Sequence, residues 1–137
     1  MSDRILQRYL DRQSDAAQSE ESEPEGLDDL GSFGWLRGIR DRAIMLELRR
    51  KDGSVSAFDY AWLERAEFDA SEGIVLHFGG KTVVITGRFL NVEARPNVRL
   101  FAGIVRHRVP WIQEAGGSLA VATPKGTAIV DSISVRP

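Results

Sequence analysis

The stretch AIMLELRRKDGSVSAFDY, residues 43–60, narrows the folds open to this chain more than any other. Ile44, Leu46 and Leu48 alternate with Met45, Glu47 and Arg49. Neighbouring side chains of a strand point to opposite faces, so this period of two predicts a half-buried strand over 43–50. Asp52 and Gly53 then suit the positive φ of a tight turn, and the spacing predicts an antiparallel hairpin with 54–60. The pattern repeats in GIVLHFGGKTVVITG, residues 73–87, where Ile74, Leu76 and Phe78 alternate, Gly79-Gly80 supplies the turn, and β-branched residues run from Thr82 to Thr86. RAEFD, residues 65–69, predicts a short strand between the two hairpins. The fold class that follows is mainly β (α+β), a small antiparallel meander or partly open barrel of about five strands. Nothing in the spacing indicates a parallel βαβ unit.

Beyond Asn91 the period lengthens. Val98, Phe101 and Val105 recur at three and four, with Leu100 and Ile104 beside them. This predicts one amphipathic helix of roughly ten residues after the strands, with Pro96 in its first turn. On that wheel Arg95, Arg99 and Arg106 share the solvated arc, whereas Arg108 falls on the apolar side, so the helix should end before it. RVPWIQEA, residues 108–115, reads as extended, and Pro110 argues for an edge position or a strand start. In the last segment Ile129, Asp131, Ile133 and Val135 alternate with smaller residues, which predicts a late edge strand or one offered to a neighbour.

The net charge of −2 hides an asymmetry. Residues 1–32 carry nine acids and three bases, a balance of −6, and residues 33–137 carry eleven acids and fifteen bases, a balance of +4. Residues 14–31, SDAAQSEESEPEGLDDLG, hold seven carboxylates and no base, too little apolar surface to offset the entropy of ordering, so disorder is expected there. Before it, Ile5, Leu6, Tyr9 and Leu10 fall on one side of a short helix, which makes residues 3–12 a candidate docking segment for a protein partner. Three parts follow: residues 1–32 as a short helix and acidic tail, 33–115 as the folded β-rich domain, and 116–137 as a Gly/Ala-rich segment with a possible edge strand. No stretch is apolar enough for a membrane span, and a cytoplasmic protein is expected.

The chemistry on offer is sparse. With no cysteine, thiol nucleophiles, thiolate metal sites and disulfides are excluded. His77 lies in a strand between two core positions and so faces outward, and His107 falls at the end of the helix. Asp59, Glu64, Glu67 and Asp69 are close in sequence, but paired carboxylates do acid–base work only when geometry separates their pKa values, and here they read as the polar face of a sheet. GGK lacks the spacing and the following helix of a phosphate loop, and a hairpin turn accounts for it. No catalytic residue, cofactor or metal is assigned. Two candidate surfaces remain. Arg88, Arg95, Arg99, Arg106 and Arg108 form a basic cluster suited to anions or nucleic acid, or to the acidic stretch 15–29 folding back on it. Tyr60 and Trp62 form a candidate aromatic surface; Trp62 sits where the strand period breaks, and if it is exposed on a flat surface it points to a binding site.

The order of a leading helix-like segment, the KDG hairpin, short strands and VVITGRFLNV after a glycine turn resembles the Sm-like barrels found in RNA chaperones and in several small bacterial proteins. The likeness covers residues 35–95. That family carries an Asp and Asn that contact a base and, later, an Arg-Gly-Asp triplet. Here Asp59 has no matching Asn, and Gly87 is flanked by Thr86 and Arg88. The resemblance therefore implies the fold and a tendency to form rings more than it implies uridine reading. The functional expectation is a non-enzymatic, self-associating interaction or assembly module, a homo-oligomer. The alternative is weak nucleic-acid binding through the arginine-rich helix face.

Overall fold

A computed structural model describes residues 26–116 and 126–137. The predicted helix and partner segment at 3–12, the acidic residues 14–25 and the Gly/Ala-rich residues 117–125 lie outside the described residues.

The chain is mainly β. Its elements are β1 (Leu27–Asp29), β2 (Gly34–Leu36), β3 (Met45–Arg49), β4 (Val55–Asp59), a 3-10 turn (Tyr60–Trp62), β5 (Leu63–Asp69), β6 (Gly73–Phe78), β7 (Lys81–Arg88), α1 (Leu100–Val105), β8 (Trp111–Gln113) and β9 (Ile129–Arg136). They form three sheets, β1-β2, β4-β3-β8 and β5-β6-β7-β9, and none closes into a barrel. The meander is broken at the 3-10 turn, where the chain leaves one sheet for the next. No helix among the described residues is long and apolar enough to cross a membrane.

Both predicted hairpins form, with different turn chemistry. β3 and β4 pair antiparallel from Met45↔Asp59 to Arg49↔Val55. Gly53 alone takes positive φ, at 92°, and its N–H donates to Arg50 O. Asp52 acts through its side chain instead: Oδ1 accepts from Ser54 N and Ser54 Oγ. These bonds, the hydroxyl first, hold its carboxyl below the usual carboxylate range. In the β6–β7 hairpin Gly79 takes positive φ at the first loop position, the type II′ pattern that matches strand twist. Ile74, Leu76, Val83 and Ile85 are wholly buried there, while Leu46 and Leu48 are wholly buried from β3. Ile44, expected on the same core stripe, precedes the strand and is 79% exposed.

Further expectations are corrected. The folded region starts before Phe33: Leu27–Asp29, assigned by composition to the disordered tail, pair with β2, and Ser32 is buried with its Oγ donating to Ala128 O. The helix spans six residues, not ten, and Pro96 lies outside it, because Asn97 takes positive φ in a tight turn closed by the Arg95↔Val98 bridge. It buries Leu100, Gly103 and Ile104, leaving Val105 exposed. Gly103 is required by close approach, since a Cβ there would overlap the Trp35 ring and Val109. Among the described strands only β8 joins its sheet by parallel pairing, Glu47↔Trp111 to Arg49↔Gln113; it lies at the sheet edge, and Pro110 directly precedes it.

β9 pairs within its own chain, antiparallel to β7. A register shift between Thr86 and Gly87 breaks the expected alternation, so Val130 and Ile133 both face the core while Asp131 is exposed. The core is one cluster drawn from both larger sheets and α1, with the Phe58 ring of β4 tilted against Phe78 of β6 at 5.1 Å between centroids.

Candidate functional site

The two residues of the candidate aromatic surface part company. Asp59 caps the 3-10 turn by accepting from Ala61 N, and the tight winding swings Tyr60 inward and Trp62 outward. Tyr60 is 2% exposed, stacks on His107 at 4.4 Å and donates its hydroxyl to Val109 O at 2.6 Å. Burial pushes its phenol well above the usual tyrosine range. Tyr60 is therefore core, contrary to expectation. Trp62 is 65% exposed. Its carbonyl accepts from Gly79 N, which ties the turn to the β6–β7 loop.

The five arginines do not form one cationic face. Arg88 pairs with Asp131 at 3.6 Å, and Arg95 pairs with Asp28, which also meets Arg37 at 3.3 Å. Asp28 belongs to the acidic stretch, so one carboxylate of that stretch does lie against the arginine set. Arg108 lies over the Trp35 ring at 5.2 Å and donates to Leu36 O, a structural tie to β2. Only Arg99 and Arg106 converge, around a shallow groove of about 270 Å³ with Asn97 and Glu93. Glu93 takes up part of that charge, at 3.7 Å from Arg99. Their common arc reflects the short helix: Arg99 precedes its first turn and Arg106 follows its last.

The other titratable groups are structural or solvated. His77 faces outward beside Glu67 at 3.5 Å and Thr82 at 3.5 Å. Asp69 accepts from Ser71 Oγ, Ser71 N and Glu72 N, and these bonds, the hydroxyl first, hold its carboxyl low and close the β5–β6 turn. Among the described residues no three His, Cys, Asp or Glu side chains are placed to hold a metal. A second cavity of about 240 Å³ lies between that turn and the β7 register shift, with Phe68, Leu90 and Phe89 in its walls. Phe89 takes positive φ, 55°, which keeps its ring outside the core.

The remaining surface feature is the edge of β4. Tyr60 N donates to Ile44 O and Arg50 N to Ser54 O, which sets the hydrogen-bonding phase of the β3–β4 pair. In an antiparallel pair that phase alternates, so Ser56 and Phe58 bond to β3 while Val55, Ala57 and Asp59 turn their main-chain groups to the open side. Among the described residues these outward groups meet no partner, except Asp59 O, the cap carbonyl that accepts the first bond of the 3-10 turn. Met45 and Val55, 44% and 55% exposed, share the outer face of these strands. The sequence carries no signal for this, because which edge stays open depends on residues distant along the chain. It also gave none for Glu114, whose Oε1 accepts from Lys51 N and whose Oε2 accepts from Ile133 N, joining the β3–β4 turn to β9.

No family model, no curated protein and no solved structure matches the chain.

Proposed function

We propose that the protein is a non-enzymatic interaction and assembly module that self-associates, with Trp62 as an anchor of its contact surface. The observation that carries this reading is the exposed indole at the corner between two sheets, with Ile44 exposed at the same end of the β3–β4 pair. A Trp side chain carries on the order of 150–250 Å² of surface, and anchors of this kind cost roughly 2 kcal/mol or more of binding when truncated. The likeness to Sm-like barrels belongs to the same proposal, as an open variant in which sheets of three and four strands share one core. A cytoplasmic setting belongs to it as well.

Light scattering of the full chain over about 1–100 μM, a range that brackets micromolar self-association, tests the reading. The expected mass exceeds the 15.2 kDa of one chain and rises with concentration. Trp62→Ala is expected to weaken association roughly 30-fold. A single-chain mass at every concentration ends the proposal.

A second reading has one observation of its own, the convergence of Arg99 and Arg106 on one groove. It is weak binding of nucleic acid or another polyanion. Titration of single-stranded RNA or DNA at low salt should show binding that falls as salt rises and is lost on Arg99→Glu with Arg106→Glu. Tyr60 has no part in it, being buried.

A further inference from the structure

Every strand edge in the described structure except one is covered or charged. On β8, Gln113 N donates to Ser32 O, and Phe33 bridges to Ile112. On β9, Val130 O accepts from Ala115 N, Ile133 N donates to Glu114, and Asp131 O accepts from Lys51 Nζ. β5 has no such cover but carries Glu64, Arg65, Glu67 and Asp69 along its length. Charge on an edge strand, or a cover of loop and side chain, are the devices that keep edges from pairing with other chains. β4 has neither: VSAFD holds one charge, at its last position.

Resting on the self-association proposed above, we infer that the open edge of β4 pairs antiparallel with β4 of a second copy of this chain, about a twofold axis through Ala57. The outward-facing residues are Val55, Ala57 and Asp59, and they are symmetric about the middle one. Ala57 meets Ala57 of the partner subunit, and Val55 meets Asp59 of the partner subunit. An isologous contact requires this self-complementarity. The Ala57 pair exchanges two main-chain hydrogen bonds and each flanking pair supplies one, from Asp59 N to Val55 O, because Asp59 O already serves the 3-10 turn; about four bonds join the three-stranded sheets into one. No like charges come opposite each other, and a small residue lies on the axis. On the inner face Ser56 meets Phe58 of the partner subunit, which covers the half-exposed side of Phe58. The same register runs the β3–β4 turn of the second copy toward Trp62, so one contact accounts for both the open edge and the exposed indole.

The chain has no cysteine, so single-cysteine variants of the full chain report the register directly. Across a hydrogen-bonded antiparallel pair the Cα atoms lie about 5.5 Å apart, within disulfide range, whereas two copies of position 55 lie well beyond it. Under mild oxidation Ala57→Cys is expected to give a covalent dimer at least roughly tenfold faster than Val55→Cys. Hydrogen exchange provides the second measurement: the Ala57 and Asp59 amides should gain protection as concentration rises. If light scattering shows association but Val55→Cys cross-links as fast as Ala57→Cys, this pairing is wrong and the self-association reading stands. Protection of those amides at every concentration, with no Ala57→Cys dimer, assigns the edge to the chain's own residues and overturns the inference. A single-chain mass throughout overturns both.

Discussion

β4 and β9 are both terminal strands, yet they meet opposite fates. β9 lies against β7 on one side and is tied down on the other by Ala115, Glu114 and Lys51, with Val130 and Ile133 buried. β4 lies against β3 on one side and meets no described residue on the other, with Val55 and Ala57 exposed. The two strands share residue types, VSAFD in β4 and IVDSISVR in β9, with Val, Ser and one Asp in each. What separates them is the loop that covers one and not the other, so strand chemistry sets pairing ability and the rest of the chain decides where it is used.

The comparison can be broken at its strongest point by truncating β9 from within. Ile133→Ala should cost about 3 kcal/mol, read as a drop in the urea midpoint. Val55→Ala, at the outer face of β4, should stay within about 0.5 kcal/mol for the single chain. Equal losses would mean that β4 is as buried as β9.

A smaller effect is expected where β4 ends. Tyr60→Phe leaves Val109 O without its donor and should cost about 1–2 kcal/mol. The same hydroxyl gives a pH signature. The folded state holds the phenol protonated beyond the pH at which the unfolded chain releases it, near 10. The unfolded state then binds fewer protons, so the contribution of this hydroxyl is constant below about pH 10 and falls as pH rises above it. In Tyr60→Phe that part of the alkaline fall should be missing from melts between roughly pH 9 and 11.

Glu114→Ala sharpens the contrast by uncovering β9. Loss of two hydrogen bonds to main-chain N–H groups should cost about 1 kcal/mol. The larger change should be a new tendency to aggregate, measured by light scattering at fixed concentration, because a second edge is then open. The smallest effect belongs to the β3–β4 turn. Asp52 has its carboxyl held low by Ser54, so its contribution is present above the unfolded pKa and fades as pH falls below about 4. Asp52→Asn should lower the neutral plateau slightly and, by the same amount, flatten the acid limb of the pH–stability curve.

Local pattern carried a good part of the fold. The period of two at Leu46–Leu48 and Ile74–Phe78, bounded by glycine turns, is enough to place β3, β4, β6 and β7, because alternation and turn conformation act within a few residues. Where reading failed, the deciding partner was far away. Ile44 continues the alternation and yet lies outside the core, since the sheet ends before it. Leu27–Asp29 look like tail by composition but pair with β2 and carry Asp28 to Arg37 and Arg95. The arginines looked like one arc because a ten-residue helix was assumed; a positive φ at Asn97 shortened it and sent them to separate partners. Tyr60 and Trp62, two positions apart, look equivalent by residue type, and a 3-10 turn buries one and exposes the other.

By itself the sequence determined that the chain is a mainly β protein with two tight hairpins, no thiol chemistry and an acidic N-terminal segment, because each of these follows from composition or from contacts a few residues apart. The tertiary structure decided which sheet each hairpin joins, that β8 pairs parallel to β3, that Tyr60 is core, and that among the described residues β4 offers an uncovered, nearly uncharged edge. Those outcomes depend on residues 30 to 100 positions apart, such as Ser32 with Ala128 and Lys51 with Glu114, and no local pattern encodes them.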